Sequence, residues 1–307
     1  MDKKLFEKRY REYCAATEQY LGGLFLDGAE GCAKLYEAMR YSLLSGGKRL
    51  RPVLTLEFAR LCGLDDLRAL PFACALEMVH TYSLIHDDLP CMDDDALRRG
   101  KPTNHMVYGV TMATLAGDAL QPEAFRVLLS ADLPDGVLAE GARVLARSCG
   151  AYGMVAGQVI DLTGGEKTLA GLEHLHTLKT GRMFMGAAEL GCVAAGAAQE
   201  MRDAAREYAA NLGLAFQIRD DMLDVIGDEA TFGKPIGSDR AEEKTTYVDL
   251  FGIGGCEEKV REYTECAKTA LEGVRWQGDT QFLLALAQRL ATREKQLDLR
   301  RESPRFS

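Results

Sequence analysis

The chain of 307 residues is predicted to be all-α, a single helical bundle built around a central cavity. Three observations carry that expectation. Apolar residues recur at helical steps, as in Phe72, Ala75, Leu76, Val79 and Tyr82, and alternating strand-like runs are absent. Ala, Leu, Glu and Arg, all good helix formers, dominate from Thr111 onward. Two groups of aspartates, more than a hundred residues apart, are each embedded in apolar sequence, as two walls of one cavity would be. A prior of ~150 residues per domain would allow two domains, yet no Pro/Ser-rich linker or composition step divides the chain. One domain over residues 1–299 is expected, with 300–307 a disordered tail.

The first helix is expected over 3–24, with Leu5, Phe6, Tyr13, Tyr20 and Leu21 turned inward as a cover for the bundle. A second, over 34–44, is closed by Gly46-Gly47, and Pro52 opens a third that runs to 60. Lys48 and Arg51 therefore sit on a turn between helices. There a lysine offers a point charge and an arginine a planar fork to phosphate oxygens, although taken alone such a turn is ordinary surface. Further helices are expected at 72–89, 111–130, 136–150, 152–163, 169–190, 200–226, 257–274 and 280–296. Within 169–190, His174 and His176 point away from each other and read as surface. The stretch 227–246 is polar and glycine-punctuated, carries Lys234 and Lys244, and suits a lid closing over phosphates.

The helix at 72–89 runs into Asp87, Asp88, Asp93, Asp94 and Asp95, with Arg98 and Arg99 close behind. Offsets of five and six residues do not share a helical face, so a straight helix would separate Asp93 from Asp87 and Asp88. Pro90 removes the obstacle. It has no N–H to donate and its ring collides with the carbonyl of His86, so the helix must stop or kink and the chain can fold Asp93 back. The second group, Asp220, Asp221 and Asp224, keeps offsets of three and four on an uninterrupted helix, and Asp228 extends it. Convergent carboxylates repel unless a cation lies among them, and hard oxygen donors with open positions suit magnesium, which retains waters and accepts phosphates. Either group alone is as well explained by a solvated helix end. The pair argues for a cavity with multiply charged contents.

Three segments in order, Gly46-Gly47-Lys48-Arg49-Leu50-Arg51-Pro52, residues 84–103 (LIHDDLPCMDDDALRRGKPT) and residues 217–224 (QIRDDMLD), resemble the hallmarks of the short-chain trans-prenyl diphosphate synthases. The likeness is dense over residues 35–252. The stretch Leu89 to Met92, between Asp88 and Asp93, is the longer spacing, similar to the bacterial farnesyl or the geranylgeranyl type. The resemblance implies an isoprenoid-synthase-type bundle, a homodimer, and magnesium-dependent head-to-tail condensation of isopentenyl diphosphate with dimethylallyl and geranyl diphosphates. It implies three magnesium ions with substrate bound, on Asp87, Asp88, Asp93, Asp220, Asp221 and Asp224. Lys48, Arg51, His80 and Arg99 would hold isopentenyl diphosphate, and Arg98 and Lys179 the allylic diphosphate. Thr180, Gln217, Lys234 and Lys244 complete the substrate-binding set, and Gln158, in a motif with Asp161, would line the cavity. The catalytic burden falls on Asp87, Asp88, Asp93, Arg98, Lys179 and Asp220. Tyr82 and Ser83 would set product length. An aromatic five residues before Asp87 lies about 7.5 Å down a helix, across the path of a growing tail; it resembles the farnesyl type, whereas geranylgeranyl synthases tend to carry a smaller residue. Fifteen carbons are expected, twenty being the alternative. A terpene cyclase would show a mixed Asn/Ser/Glu second motif, and a noncatalytic partner subunit would have lost aspartates; neither departure is present.

The net charge of −9 and the lack of long Lys/Arg runs argue against nucleic acid. Nine cysteines include no Cys-x-x-Cys pair, so neither a zinc site nor a disulfide framework is indicated and a reducing, cytoplasmic setting is expected. The charged N-terminal stretch lacks a signal-peptide core, and no apolar run approaches membrane-spanning length, so no stable membrane insertion is expected.

Overall fold

The structure, a computed structural model, describes residues 1–64, 66–226 and 245–292. The helices are α1 (Lys3–Gly22), α2 (Ala33–Leu43), α3 (Leu50–Leu61), α4 (Asp66–Asp87), α5 (Asn104–Tyr108), α6 (Val110–Leu129), α7 (Asp135–Cys149), α8 (Met154–Thr163), α9 (Leu169–His176), α10 (Arg182–Ala194), α11 (Gln199–Ile226), α12 (Tyr247–Ala270) and α13 (Gln281–Ala291). Among the described residues the β structure is one small antiparallel hairpin, β1 (Leu97–Arg98) with β2 (Lys101–Pro102). No described helix is long and apolar enough to cross a membrane.

The middle of the bundle is α4, which packs on α3, α6 and α10. It is apolar all round: Phe72, Cys74, Leu76, Met78 and Val79 are fully shielded although they point in different directions, as a helix in the centre of a core requires. The helix α10 is enclosed in the same way between α3, α7 and α11. A satellite core of Leu172, Ile218, Met222, Tyr247, Cys256 and Val260 joins α9, α11 and α12. Thus α4 and α11, the two helices that carry aspartates, are anchored along their length and deliver those residues at their C-terminal ends.

Several expectations are corrected. Leu5 is 49% exposed and does not face inward, whereas Phe6, Tyr13 and Leu21 do. The segment 169–190 is not one α-helix: α9 and α10 are separated by a π-helical turn, Thr177–Gly181. The helix expected to reach 89 ends at Asp87, three residues before Pro90, because the residues preceding a proline are driven from helical geometry and its missing N–H ends the ladder. The long C-terminal helix starts earlier than expected, at a Thr246–Asp249 capping box, and kinks at Gly252.

Candidate active site

Beyond Asp87 the chain doubles back as the proline requires. The Asp93 N–H donates to the carbonyl of Asp87 at 2.9 Å, and that of Asp94 to Leu89 at 3.2 Å. Asp87, Asp88 and Asp93 become neighbours, and the Asp87 carboxyl is pushed above its ordinary range, first by burial and then by Asp93 and Asp88, against the lowering effect of Lys179 and Arg98. Arg98 donates to Asp88 at 2.6 Å and to Asp95 at 3.3 Å. Among the described residues no three acidic, His or Cys side chains are drawn together tightly enough to hold a metal by themselves. The tight convergence expected of the three aspartates is therefore not preformed. Arg98 occupies Asp88.

On the second wall, Asp221 and Asp224 are buried. A relay connects this wall to the π-helical turn: Thr180 Oγ1 donates to Gln217 Oε1 at 3.1 Å, and Gln217 Nε2 donates to Asp221 Oδ1 at 3.2 Å. The Tyr247 N–H donates to the other oxygen, Oδ2, at 2.9 Å. Asp221 Oδ1 is thus held within α11 while Oδ2 ties α11 to α12, a positioning task the sequence did not suggest. Within the same turn Lys179 donates to Asp161 at 2.6 Å and exerts its charge on Asp87. The turn Thr177–Gly181 is thus bonded to the second wall through Thr180 and acts on the first through the charge of Lys179. A Cβ on Gly157 would lie 2.2 Å from the backbone nitrogen of Lys179, so a glycine is what lets α8 press against this turn. Gln158 beside it keeps a shielded Nε2 without a hydrogen-bond partner among the described residues, in keeping with a side chain awaiting a ligand.

The basic side is built on a tight turn. Gly46 and Gly47 have φ of 87° and 135°, and a Cβ on Gly47 would meet the Arg99 guanidinium at 2.8 Å. Arg99 donates to the carbonyl of Gly46. Arg49, to which sequence reasoning gave no role, holds the turn down: it is 3% exposed and reaches Glu77 at 2.7 Å, Glu18 at 2.9 Å and the Leu43 carbonyl at 2.7 Å. Its signal in sequence was weak, a third cation between two better candidates. Arg51 lies over the Phe184 ring at 5.3 Å, its shielded Nε has no partner among the described residues, and burial, with Arg99 adding to it, lowers its pKa to about 10. Burial drives His80 well below its ordinary value, and Arg51, Arg99, Arg98 and Arg49 push it the same way. Lys48 sits 5.1 Å over the ring of Phe216, next to Gln217. Positive groups crowded this closely, with a neutral imidazole among them, call for an anion.

Tyr82 is 6% exposed, edge-on to His86 with ring centroids 5.8 Å apart. Burial raises its phenol, with Cys149 and Asp87 acting the same way. His86, not singled out from sequence, is itself held by the Thr114 carbonyl at 3.1 Å and lies 3.8 Å from Asp118. Ser83 turns back onto the His80 carbonyl at 2.9 Å. His176 is half-buried rather than on the surface as expected: its Nδ1 is shielded without a partner among the described residues, its ring lies against Tyr247 at 5.3 Å, and burial lowers its pKa to about 4. Asp228, Lys234 and Lys244, with most of the expected lid, lie outside the described residues.

The family model described as polyprenyl synthetase matches residues 32–274. The chain belongs to this family. It is 48% identical to the farnesyl diphosphate synthase of Geobacillus stearothermophilus over 252 residues, 80% of this chain and 85% of that one. It is 44% identical to the geranylgeranyl diphosphate synthase of Cyanophora paradoxa, covering 78% and 81%. In three dimensions it resembles an FPP/GFPP synthase from Zymomonas mobilis with a TM-score of 0.85 and 32% identity, over 94% of this chain and 100% of the other.

Polyprenyl synthetases are prenyltransferases that form prenyl diphosphates, and they work with magnesium. The donor set of this member fits such an ion: Asp87, Asp88 and Asp93 are hard carboxylate donors brought to one turn by the fold-back of Asp93 onto the Asp87 carbonyl.

Proposed function

We propose that this prenyltransferase condenses isopentenyl diphosphate first with dimethylallyl and then with geranyl diphosphate, and stops at the fifteen-carbon farnesyl diphosphate. The observation that carries the product length is Tyr82, a buried ring steadied edge-on by His86 and five residues before Asp87. Side chains on a helix lean toward its N-terminus, so this ring stands below the metal-binding carboxylates where a growing tail must descend.

In this reading Arg51, Arg99, His80 and Lys48 hold isopentenyl diphosphate with its double bond toward the allylic carbon, a contribution mainly of orientation. Arg98 and Lys179 hold the allylic diphosphate, and moving from Asp88 and Asp161 onto phosphate oxygens replaces one ion pair by another. Asp87, Asp88, Asp93 and Asp220, with Asp221 and Asp224 behind, would hold magnesium, proposed as three ions, which supplies Lewis-acid charge to neutralise the leaving diphosphate. Thr180 and Gln217 tie the π-helical turn that carries Lys179 to α11. The allylic carbon–oxygen bond breaks, the double bond of isopentenyl diphosphate attacks the resulting cation, and the released diphosphate accepts the proton. A homodimer belongs to the same proposal, supported by exposed Met106, Val110 and Leu115 along α5 and α6.

The twenty-carbon reading is favoured by the comparable identity to a geranylgeranyl synthase. Incubation with isopentenyl and dimethylallyl diphosphates and magnesium, followed by chromatography of the products, separates the two. Wild type should yield mainly C15. Tyr82→Ala should shift product to C20 or longer while the first condensation is retained. A mainly C20 wild-type product, or a Tyr82→Ala distribution like wild type, would remove the farnesyl assignment.

A further inference from the structure

A cavity of about 340 Å³ opens where α10 packs between α7 and α11. Arg147 and Ser148 of α7, Arg182, Met185 and Glu189 of α10, and Arg206 of α11 line it, and none of them has a part in the reaction site described above. The single lining carboxylate, Glu189, is 2% exposed and is already saturated: it accepts from Arg147 at 2.7 Å, from Arg202 at 2.7 Å and from Arg206 at 3.0 Å. Arg202 and Arg206 have second acidic partners, Glu140 and Asp203, farther out. Arg182 supplies a further cation, and its Nε is cut off from solvent without a hydrogen-bond partner among the described residues. Three arginines thus face the cavity against one fully engaged carboxylate, and one of them holds a shielded donor that costs free energy until an acceptor arrives.

We propose that this cavity is a second anion site, separate from the reaction cavity, which takes a phosphate or diphosphate group. Guanidinium forks match such oxygens in geometry as well as charge. Carboxylates are a poorer match, because Glu189 already provides one and leaves the Arg182 Nε unsatisfied. Met185 adds an apolar wall, so the diphosphate could be inorganic or the head of a prenyl ester.

The full-length chain in EDTA, which removes metal-dependent binding in the reaction cavity, is titrated with inorganic diphosphate by calorimetry and phosphorus NMR. Wild type should take up diphosphate at two sites, the cations proposed for isopentenyl diphosphate and this cavity, and Arg51→Gln, in which the first is weakened, should retain the second, whose affinity is the one followed here. Arg182→Gln and Arg147→Gln should weaken binding by about tenfold or more, the loss of one charge-assisted contact, with turnover at saturating substrate unchanged. Arg182→Lys, which keeps the charge and hence the fold, should fall between. Farnesyl diphosphate binding tighter than inorganic diphosphate, with the same dependence on Arg182 in an Arg51→Gln background, would identify a prenyl ester as the source; equal affinity would identify the bare diphosphate. An Arg51→Gln chain that binds no diphosphate at millimolar concentration, or whose remaining binding survives both Arg182→Gln and Arg147→Gln, overturns the proposal.

Discussion

Arg51 and His176 show how burial changes what a side chain is for. Arg51 remains charged near neutrality even with its pKa lowered to about 10, so its use lies in geometry: a planar fork backed by the Phe184 ring. Arg51→Lys keeps the charge and loses the fork, so the KM for isopentenyl diphosphate should rise about tenfold or more while that for the allylic substrate changes little. Equal rises for both substrates would show that the two diphosphates have been assigned to the wrong cations. His176 is depressed from about 6.5 to about 4 by burial, with Lys179 lowering and Asp161 raising it. A folded state that prefers neutral imidazole has its full stability above the unfolded pKa and loses it as pH falls from about 6.5 toward about 4. The loss should be on the order of 2 kcal/mol, and His176→Gln should flatten it. Denaturant midpoints measured from pH 7 to pH 4 that fall equally in both proteins would assign acid sensitivity elsewhere.

At the scale of elements, the contact between α4 and α6 decides how rigid the cavity floor is. A Cβ on Gly117 would lie 2.1 Å from His86 Nε2, so Gly117→Ala must displace the ring that steadies Tyr82, although alanine is itself the better helix former by about 1 kcal/mol. The variant should retain its melting temperature within a few degrees and release a larger fraction of C20 product. An unaltered product distribution would mean that Tyr82 keeps its place without His86. The helix period in the sequence located nearly all the helices, since an apolar stripe at 3.6 residues survives inspection without partners. The break at Thr177–Gly181 was invisible. A π turn is stabilised by what it meets, here Asp161, Gln217 and the close backbone of Gly157, and those neighbours are distant in sequence.

At the scale of the whole molecule, the proposed reaction sets the two aspartate groups on either side of the substrates. Asp87→Ala and Asp220→Ala should each lower turnover by about two powers of ten or more, because leaving-group charge goes uncompensated, and chelation with EDTA should abolish turnover and magnesium should restore it. Near-normal turnover in either variant, or in EDTA, would end the two-wall description. Circular dichroism should be unchanged in both variants, since neither residue is needed for the main core.

Sequence alone determined the helical class and the break of the chain at Pro90 that folds Asp93 back toward Asp87. Those follow from periodicity and from a missing N–H, both of which are local properties. Only the tertiary structure decided that Arg49 braces the turn bearing Lys48 and Arg51, that Asp221 ties α11 to α12, that His176 is shielded and that His86 steadies Tyr82. Each of these depends on which partner burial brings within hydrogen-bonding or ring-contact distance. That choice is made by packing between helices, for which a single chain written out in order carries no distance.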